Sequence, residues 1–142
     1  MALAVGGILI GGWYGEALGC TPGAGAAVFT VDATGDMVDD ADGVTTFREA
    51  IEAANANPGC DTINFAAPLK GQTITMDPTL AHPTNVTNGA PLVQDPVNIV
   101  GPGSDQLTFT YTNGGAGTFD LLNNGNQNIS IAGITVDAGN TA

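Results

Sequence analysis

The chain has 142 residues and a formal net charge of −12, because 14 acidic residues are balanced by only two basic ones, Arg48 and Lys70. This charge argues against nucleic acid as a partner, since neutralising phosphates requires lysine and arginine side chains. Only 11% of the residues are charged and 21 are glycine, a composition that favours short strands and tight turns.

The N-terminal segment, residues 1–20, is apolar and uncharged over its first half. It is too short and too rich in glycine to cross a bilayer as a helix, so we expect no membrane span. Residues 3–10 predict instead a β-prone strand that needs burial, against its own domain or against a neighbouring copy of the chain. Residues 21–142 are expected to form a single domain. The candidate assembly residues of an inter-subunit strand are Leu3, Val5, Ile8 and Ile10.

The two cysteines, Cys20 and Cys60, lack the close spacing of zinc ligands. A disulfide between them is the leading expectation, because the rest of the composition suits an extracellular protein. Two unpaired thiols are the alternative.

An acidic loop follows the first predicted strand, Val28–Asp32, and ends at Gly43. Clustered carboxylates on a turn provide the hard oxygen ligands that calcium prefers, so calcium is a candidate cofactor. The spacing does not match the twelve-residue EF-hand loop, and a solvated polar turn is the alternative reading. The candidate ligands are Asp36, Asp39, Asp40 and Asp42.

A short amphipathic helix is predicted over about residues 46–56. Four apolar residues recur at i, i+3, i+4 and i+7 and therefore share one face. Thr46 and Glu49 have the spacing of a capping box at the start of this helix. The charged side chains of Arg48, Glu49 and Glu52 are expected to point away from the packed face. The four apolar residues are Phe47, Ala50, Ile51 and Ala54.

Short alternating strands separated by glycine and asparagine are predicted beyond the helix. Such strands suit a coil in which each strand pairs in parallel with its counterpart one turn further along. They equally suit an antiparallel β-sandwich, because Asn-Gly is also a hairpin signal, and the pattern does not choose between the two. The predicted strands are Thr62–Phe65, Thr73–Met76, Val97–Val100, Leu107–Tyr111, Phe119–Leu122, Ile129–Ile131 and Ile134–Asp137.

Several runs in this order resemble the N-terminal part of secreted right-handed parallel β-helix proteins of the CSLREA type, over roughly residues 28–137. The resemblance implies an all-β fold, a short right-handed parallel β-helix with one N-terminal capping helix. The chain departs from the family at Thr45, where the family's motif has cysteine, and at Cys60, where a small residue is usual. The matching runs are Phe29–Val31, the acidic loop, Thr46–Ile51, Ala54–Gly59, Asp61–Phe65 and Val97–Asp105.

The function predicted from these features is structural. A capping helix at one end of the coil, with no predicted cap at the other, favours an extracellular or cell-surface subunit that polymerises head to tail. The copies would associate through open-ended stacking or through exchange of the N-terminal strand. The alternative is a capping fragment of a larger cell-surface adhesin or carbohydrate-binding β-helix protein. A polysaccharide lyase or hydrolase is less expected, because Arg48 and Lys70 are the only basic residues, so we predict no catalytic residues.

Two sequons offer weak candidates for N-glycosylation, at Asn85 and Asn128. Asn85 lies in a loop bounded by prolines, whereas Asn128 adjoins a predicted strand. Apart from the calcium candidate, no cofactor is expected, and the predicted partners are further copies of the chain, with glycans as candidates.

Overall fold

The computed structural model describes residues 19–77, 79–80, 91–111, 122–123 and 127–137. Within these ranges the chain forms one α-helix, one short 3₁₀ turn at Ala67–Leu69 and a series of short strands. The elements in chain order are β1 (Val28–Val31), α1 (Phe47–Ala56), β2 (Asp61–Phe65), β3 (Gln72–Met76), β4 (Leu92–Val93), β5 (Val97–Val100), β6 (Leu107–Tyr111), β7 (Leu122–Asn123), β8 (Ile129–Ala132) and β9 (Thr135–Val136).

The strands pair in three parallel sheets. The largest has the order β1-β2-β5-β8, the second has the order β3-β6-β9, and β4 pairs with β7. No sheet pairs two strands that follow each other directly in the chain, apart from β1 and β2, which are separated by α1. Parallel neighbours need a long connection. Between β1 and β2 this connection contains α1, and the other connections run through strands of the other sheets.

The core is built from the inward-facing positions of the two larger sheets. Ile63 and Ile99 are directly paired in the first sheet, as are Ile74 and Phe109 in the second. All four side chains are fully buried. Successive side chains along a strand point to opposite faces of the sheet. The residues directly before and after each of these four in its strand therefore face outward.

Helix α1 begins where the capping box predicts. The backbone N–H of Glu49 donates to Thr46 Oγ1, and the Thr46 N–H donates to Glu49 Oε2 over 2.7 Å. The apolar stripe of the helix is buried against β1, β2 and β4. Phe47 contacts Phe109 edge to face, with ring centroids 4.9 Å apart. The helix is therefore a layer of the core.

The expected all-β class, a short right-handed parallel β-helix, is wrong. The strands that the structure describes form separate sheets of four, three and two strands, with no closed or solenoid sheet among them, and α1 supplies part of the core. The protein is a mixed α/β fold. The alternative, an antiparallel β-sandwich, is wrong as well, because every described strand pairing is parallel.

Candidate functional site

The inward rows of both larger sheets end in exposed apolar residues. In the first sheet the row runs from Ile63 through Ile99 to Ile131, and in the second from Ile74 through Phe109 to Val136. Ile63, Ile99, Ile74 and Phe109 are fully buried, and Phe29, which pairs with Ile63 on β1, is partly buried. By contrast, Ile131 is 42% exposed and Val136 is 43% exposed. The apolar core is thus open to solvent at β8 and β9, which we call the β8–β9 edge.

The opposite side of the sheets is covered. Helix α1 packs on β1, and the segment between β1 and α1 folds back, so that the Thr45 carbonyl accepts hydrogen bonds from the N–H groups of Asp32 and Ala33. The edge of β3 that faces away from β6 also has a backbone partner, because the Thr75 N–H donates to the Thr34 carbonyl. Among the described residues, β8 pairs only with β5 and β9 only with β6. Within the described residues, the β1 and β3 side thus has hydrogen-bond partners from the neighbouring loop, whereas the β8–β9 edge is bonded only to β5 and β6.

A disulfide attaches the N-terminal end of the described chain to the first sheet. Cys20 and Cys60 are bonded, with their Cα atoms 5.6 Å apart, as predicted. Asn98 of β5 donates through Nδ2 to the Cys20 carbonyl over 3.0 Å and lies 3.3 Å from Cys60 Sγ. Ser130 of β8 in turn donates to Asn98 Oδ1 over 2.7 Å. Gly19 and Cys20 therefore lie on the outward face of β5 and β8.

Gly19 is the point where the chain enters this face. A Cβ atom at this position would overlap Asn98 Oδ1 and lie 2.7 Å from Ser130 Oγ, so the backbone approaches the sheet as closely as glycine alone allows. Sequence reasoning missed this contact, because Asn98 and Ser130 become neighbours only through the pairing of β5 with β8. The candidate assembly residues Leu3, Val5, Ile8 and Ile10 lie outside the described residues.

The acidic loop does not gather its carboxylates. Asp36 is buried and forms a bidentate ion pair with Arg48, while its Oδ2 also accepts the backbone N–H of Asp77 over 2.8 Å. Burial raises the pKa of the Asp36 carboxyl, and the hydrogen bonds from Arg48 oppose this shift. Asp39 and Asp42 each accept a backbone N–H two residues further on, as in Asx turns.

No described residues form a group of three or more histidine, cysteine, aspartate or glutamate side chains placed to hold a metal ion. Calcium binding by Asp36, Asp39, Asp40 and Asp42 stays a prediction. Asp36 is engaged by Arg48, whereas Asp39, Asp40 and Asp42 are exposed in the loop.

Arg48 and Glu49, expected to point away from the packed face of α1, are nevertheless buried. Arg48 is only 1% exposed and Glu49 only 8% exposed, because the loop between β1 and α1 covers that side of the helix. Glu49 Oε1 accepts the backbone N–H of Asp39 over 2.6 Å. The helix thus buries a polar side as well as an apolar one, a feature that its apolar periodicity does not reveal.

Asp61 is a further buried carboxylate, one that sequence reasoning did not single out. It is fully buried at the start of β2, where Oδ1 accepts the backbone N–H of Ala27 and the side-chain amide of Asn57, each over 2.8 Å. It therefore ties the segment before β1 to the end of α1. Its Oδ2 has no hydrogen-bond partner among the described residues.

The two predicted glycosylation sites belong to different parts of the chain. Asn128 is exposed at the start of β8, and its carbonyl accepts the Val97 N–H, while Asn85 lies outside the described part of the chain. No helix in the described ranges is long and apolar enough to cross a membrane. The disulfide fits an extracellular location.

Comparison with protein-family models, with curated proteins and with solved structures finds no match for this chain.

Proposed function

We propose that this protein is an extracellular structural subunit that self-associates, with the β8–β9 edge of one copy receiving residues 3–10 of another. The observation that carries the proposal is the exposure of Ile131 and Val136 at the ends of two otherwise buried apolar rows. Covering half-exposed side chains of this kind stabilises an interface, because apolar area leaves water.

An added strand suits the outer side of β8. An edge strand presents unpaired N–H and C=O groups, and a strand from another chain can satisfy them with main-chain hydrogen bonds. The inward positions of β8 are Ile129 and Ile131, two residues apart. A parallel strand would place its own i and i+2 side chains beside them, a spacing that Ile8 and Ile10 have.

The position of Gly19 supports residues 3–10 as the segment that pairs with the β8–β9 edge. The disulfide holds Cys20 against β5, and Gly19 lies beside Ser130 of the edge strand. The eight residues 11–18 can span roughly 26 Å when extended, enough to reach a neighbouring copy. The segment is also apolar, so the proposed contact would bury its side chains together with Ile131 and Val136.

The experiment is sedimentation velocity with electron microscopy on the full chain and three variants. Ile131→Asp places a charge at the centre of the edge, and deletion of residues 1–12 removes the proposed strand. Val100→Asp is the matched control, because Val100 is 48% exposed but lies on the outward face of the inner strand β5. We expect oligomers for the full chain and the control, and monomers for the other two variants.

A monodisperse monomer for the full chain would overturn the proposal. If that monomer also loses protection of the Ile131 backbone N–H from hydrogen exchange when residues 1–12 are deleted, the segment pairs with its own β8 instead. Circular dichroism of each variant verifies that the fold is retained.

A further inference from the structure

The outward face of the second sheet consists of threonine side chains in two rows. Thr73, Thr108 and Thr135 are paired across β3, β6 and β9 to form the first row. Thr75 and Thr110 are paired across β3 and β6 to form the second. The residues between them in sequence, among them Ile74 and Phe109, are buried on the inward face. We call these five residues the threonine face.

The hydroxyl groups of this face are available to a ligand. Thr73 and Thr135 are exposed, and the other three are partly exposed. Thr135 donates its hydroxyl hydrogen to the Ser104 carbonyl. The hydroxyls of the other four make no hydrogen bond with any residue that the structure describes. Each hydroxyl can donate one hydrogen bond and accept two.

The spacing within the face is regular in two directions. Neighbouring strands lie about 4.8 Å apart, and residues two apart along a strand are separated by about 6.7 Å. Threonine is branched at Cβ and therefore stiff at χ1, so that ordering the array costs little rotamer entropy. The result is a repeating array of hydroxyl and methyl groups rather than a pocket.

The chemistry of the face selects a neutral, ordered partner. All five positions are uncharged, so the face itself offers no charge to an ionic partner; Asp77 and Asp137 lie two residues beyond Thr75 and Thr135, past the ends of β3 and β9. None of the five is aromatic, and the face therefore lacks the rings on which sugar units would stack. Hydroxyls that repeat in two dimensions match an ordered lattice of water molecules.

We propose that the threonine face binds ice. Hydroxyl groups on the array replace water molecules of the outermost layer of the crystal and exchange hydrogen bonds with it, while the methyl groups between them leave bulk water. No covalent step is involved. This proposal is independent of self-association at the β8–β9 edge, since the threonines lie on the outward face of the sheet and the edge is formed by backbone and inward side chains.

The test measures thermal hysteresis and inhibition of ice recrystallisation by the full chain. Thr108→Tyr places a bulky ring at the centre of the face and is expected to abolish both activities. Thr108→Val keeps the shape and the methyl groups but removes one hydroxyl, and is expected to weaken them. The matched control is Thr30→Tyr, because Thr30 is an exposed strand residue on the other sheet; this variant should retain the activities of the full chain.

Several results would overturn the proposal. One is an absence of thermal hysteresis and of recrystallisation inhibition in the folded full chain. Another is equal activity in Thr108→Tyr and Thr30→Tyr. Retention on insoluble cellulose or chitin without any effect on ice would assign the face to a glycan and also contradict ice binding. Circular dichroism melting of each variant confirms that the compared proteins are folded.

Discussion

Arg48 and Asp36 form a buried ion pair in which Arg48 Nε lies 2.9 Å from Asp36 Oδ1 and Nη2 lies 2.5 Å from Oδ2. The pair joins α1 to the loop that precedes it, and the side chains are only 1% and 3% exposed. A buried charge that loses its ion-pair partner is costly, because that partner no longer offsets its removal from water.

We therefore expect Asp36→Asn to lower the free energy of unfolding by about 3–5 kcal/mol, measured by urea denaturation. Asp40→Asn is the matched control, since Asp40 is exposed in the same loop, and it should change stability by at most about 0.5 kcal/mol. The double variant Asp36→Leu with Arg48→Met should recover much of the loss. If Asp36→Asn and Asp40→Asn unfold at the same urea concentration, the pair does not contribute as described.

The disulfide between Cys20 and Cys60 closes a loop of 40 residues. In the chain-entropy model, a crosslink over this length constrains the unfolded chain by about 4 kcal/mol. Replacing both cysteines by serine should therefore lower the free energy of unfolding by about 4 kcal/mol. Reduction of the unmodified protein with dithiothreitol serves as the control and should reproduce the urea midpoint of the double variant. An unchanged midpoint after complete reduction would contradict the prediction.

Gly101 and Gly133 pack against each other where the chain leaves β5 and β8. A Cβ atom at Gly101 would overlap the Gly133 carbonyl oxygen and lie 2.6 Å from its carbon. Gly101→Ala should therefore force the two turns apart and cost about 1–3 kcal/mol, as other overpacking substitutions do. Gly23→Ala is the control, because a Cβ atom there meets nothing within 4 Å. Equal thermal midpoints for the two variants would show that the turns can separate freely.

Local features of the chain were predictable because their causes lie within a few residues. The start of α1 depends on the contact between Thr46 and Glu49, three residues apart, and the structure confirms it. Alternation of apolar and polar residues located β5 at Val97–Val100 and β6 at Leu107–Tyr111, and the structure has the same bounds. The disulfide was the favoured of two alternatives, because the composition suited an extracellular protein, and the structure confirms it.

The partners of these elements were not predictable in the same way. Whether Asn98 faces Ser130, or Thr73 faces Thr108, depends on the register between strands some thirty residues apart. A shift of one residue would turn every side chain to the other face of the sheet. The antiparallel sandwich was wrong about how the strands pair, whereas the parallel pairing that the coil pattern predicted is confirmed. Neither the pattern nor the resemblance gave the mixed α/β class.

The sequence by itself determined where the helix begins, where most of the described strands lie and that the chain is acidic, and it favoured a bond between the two cysteines. Only the tertiary structure decided the mixed α/β class, the burial of Arg48 with Asp36, and the exposure of Ile131 at the end of a buried row. The reason is physical. Propensity, capping and alternation act between near neighbours, whereas burial and register depend on which distant segments pack together, and many packings are compatible with the same local pattern.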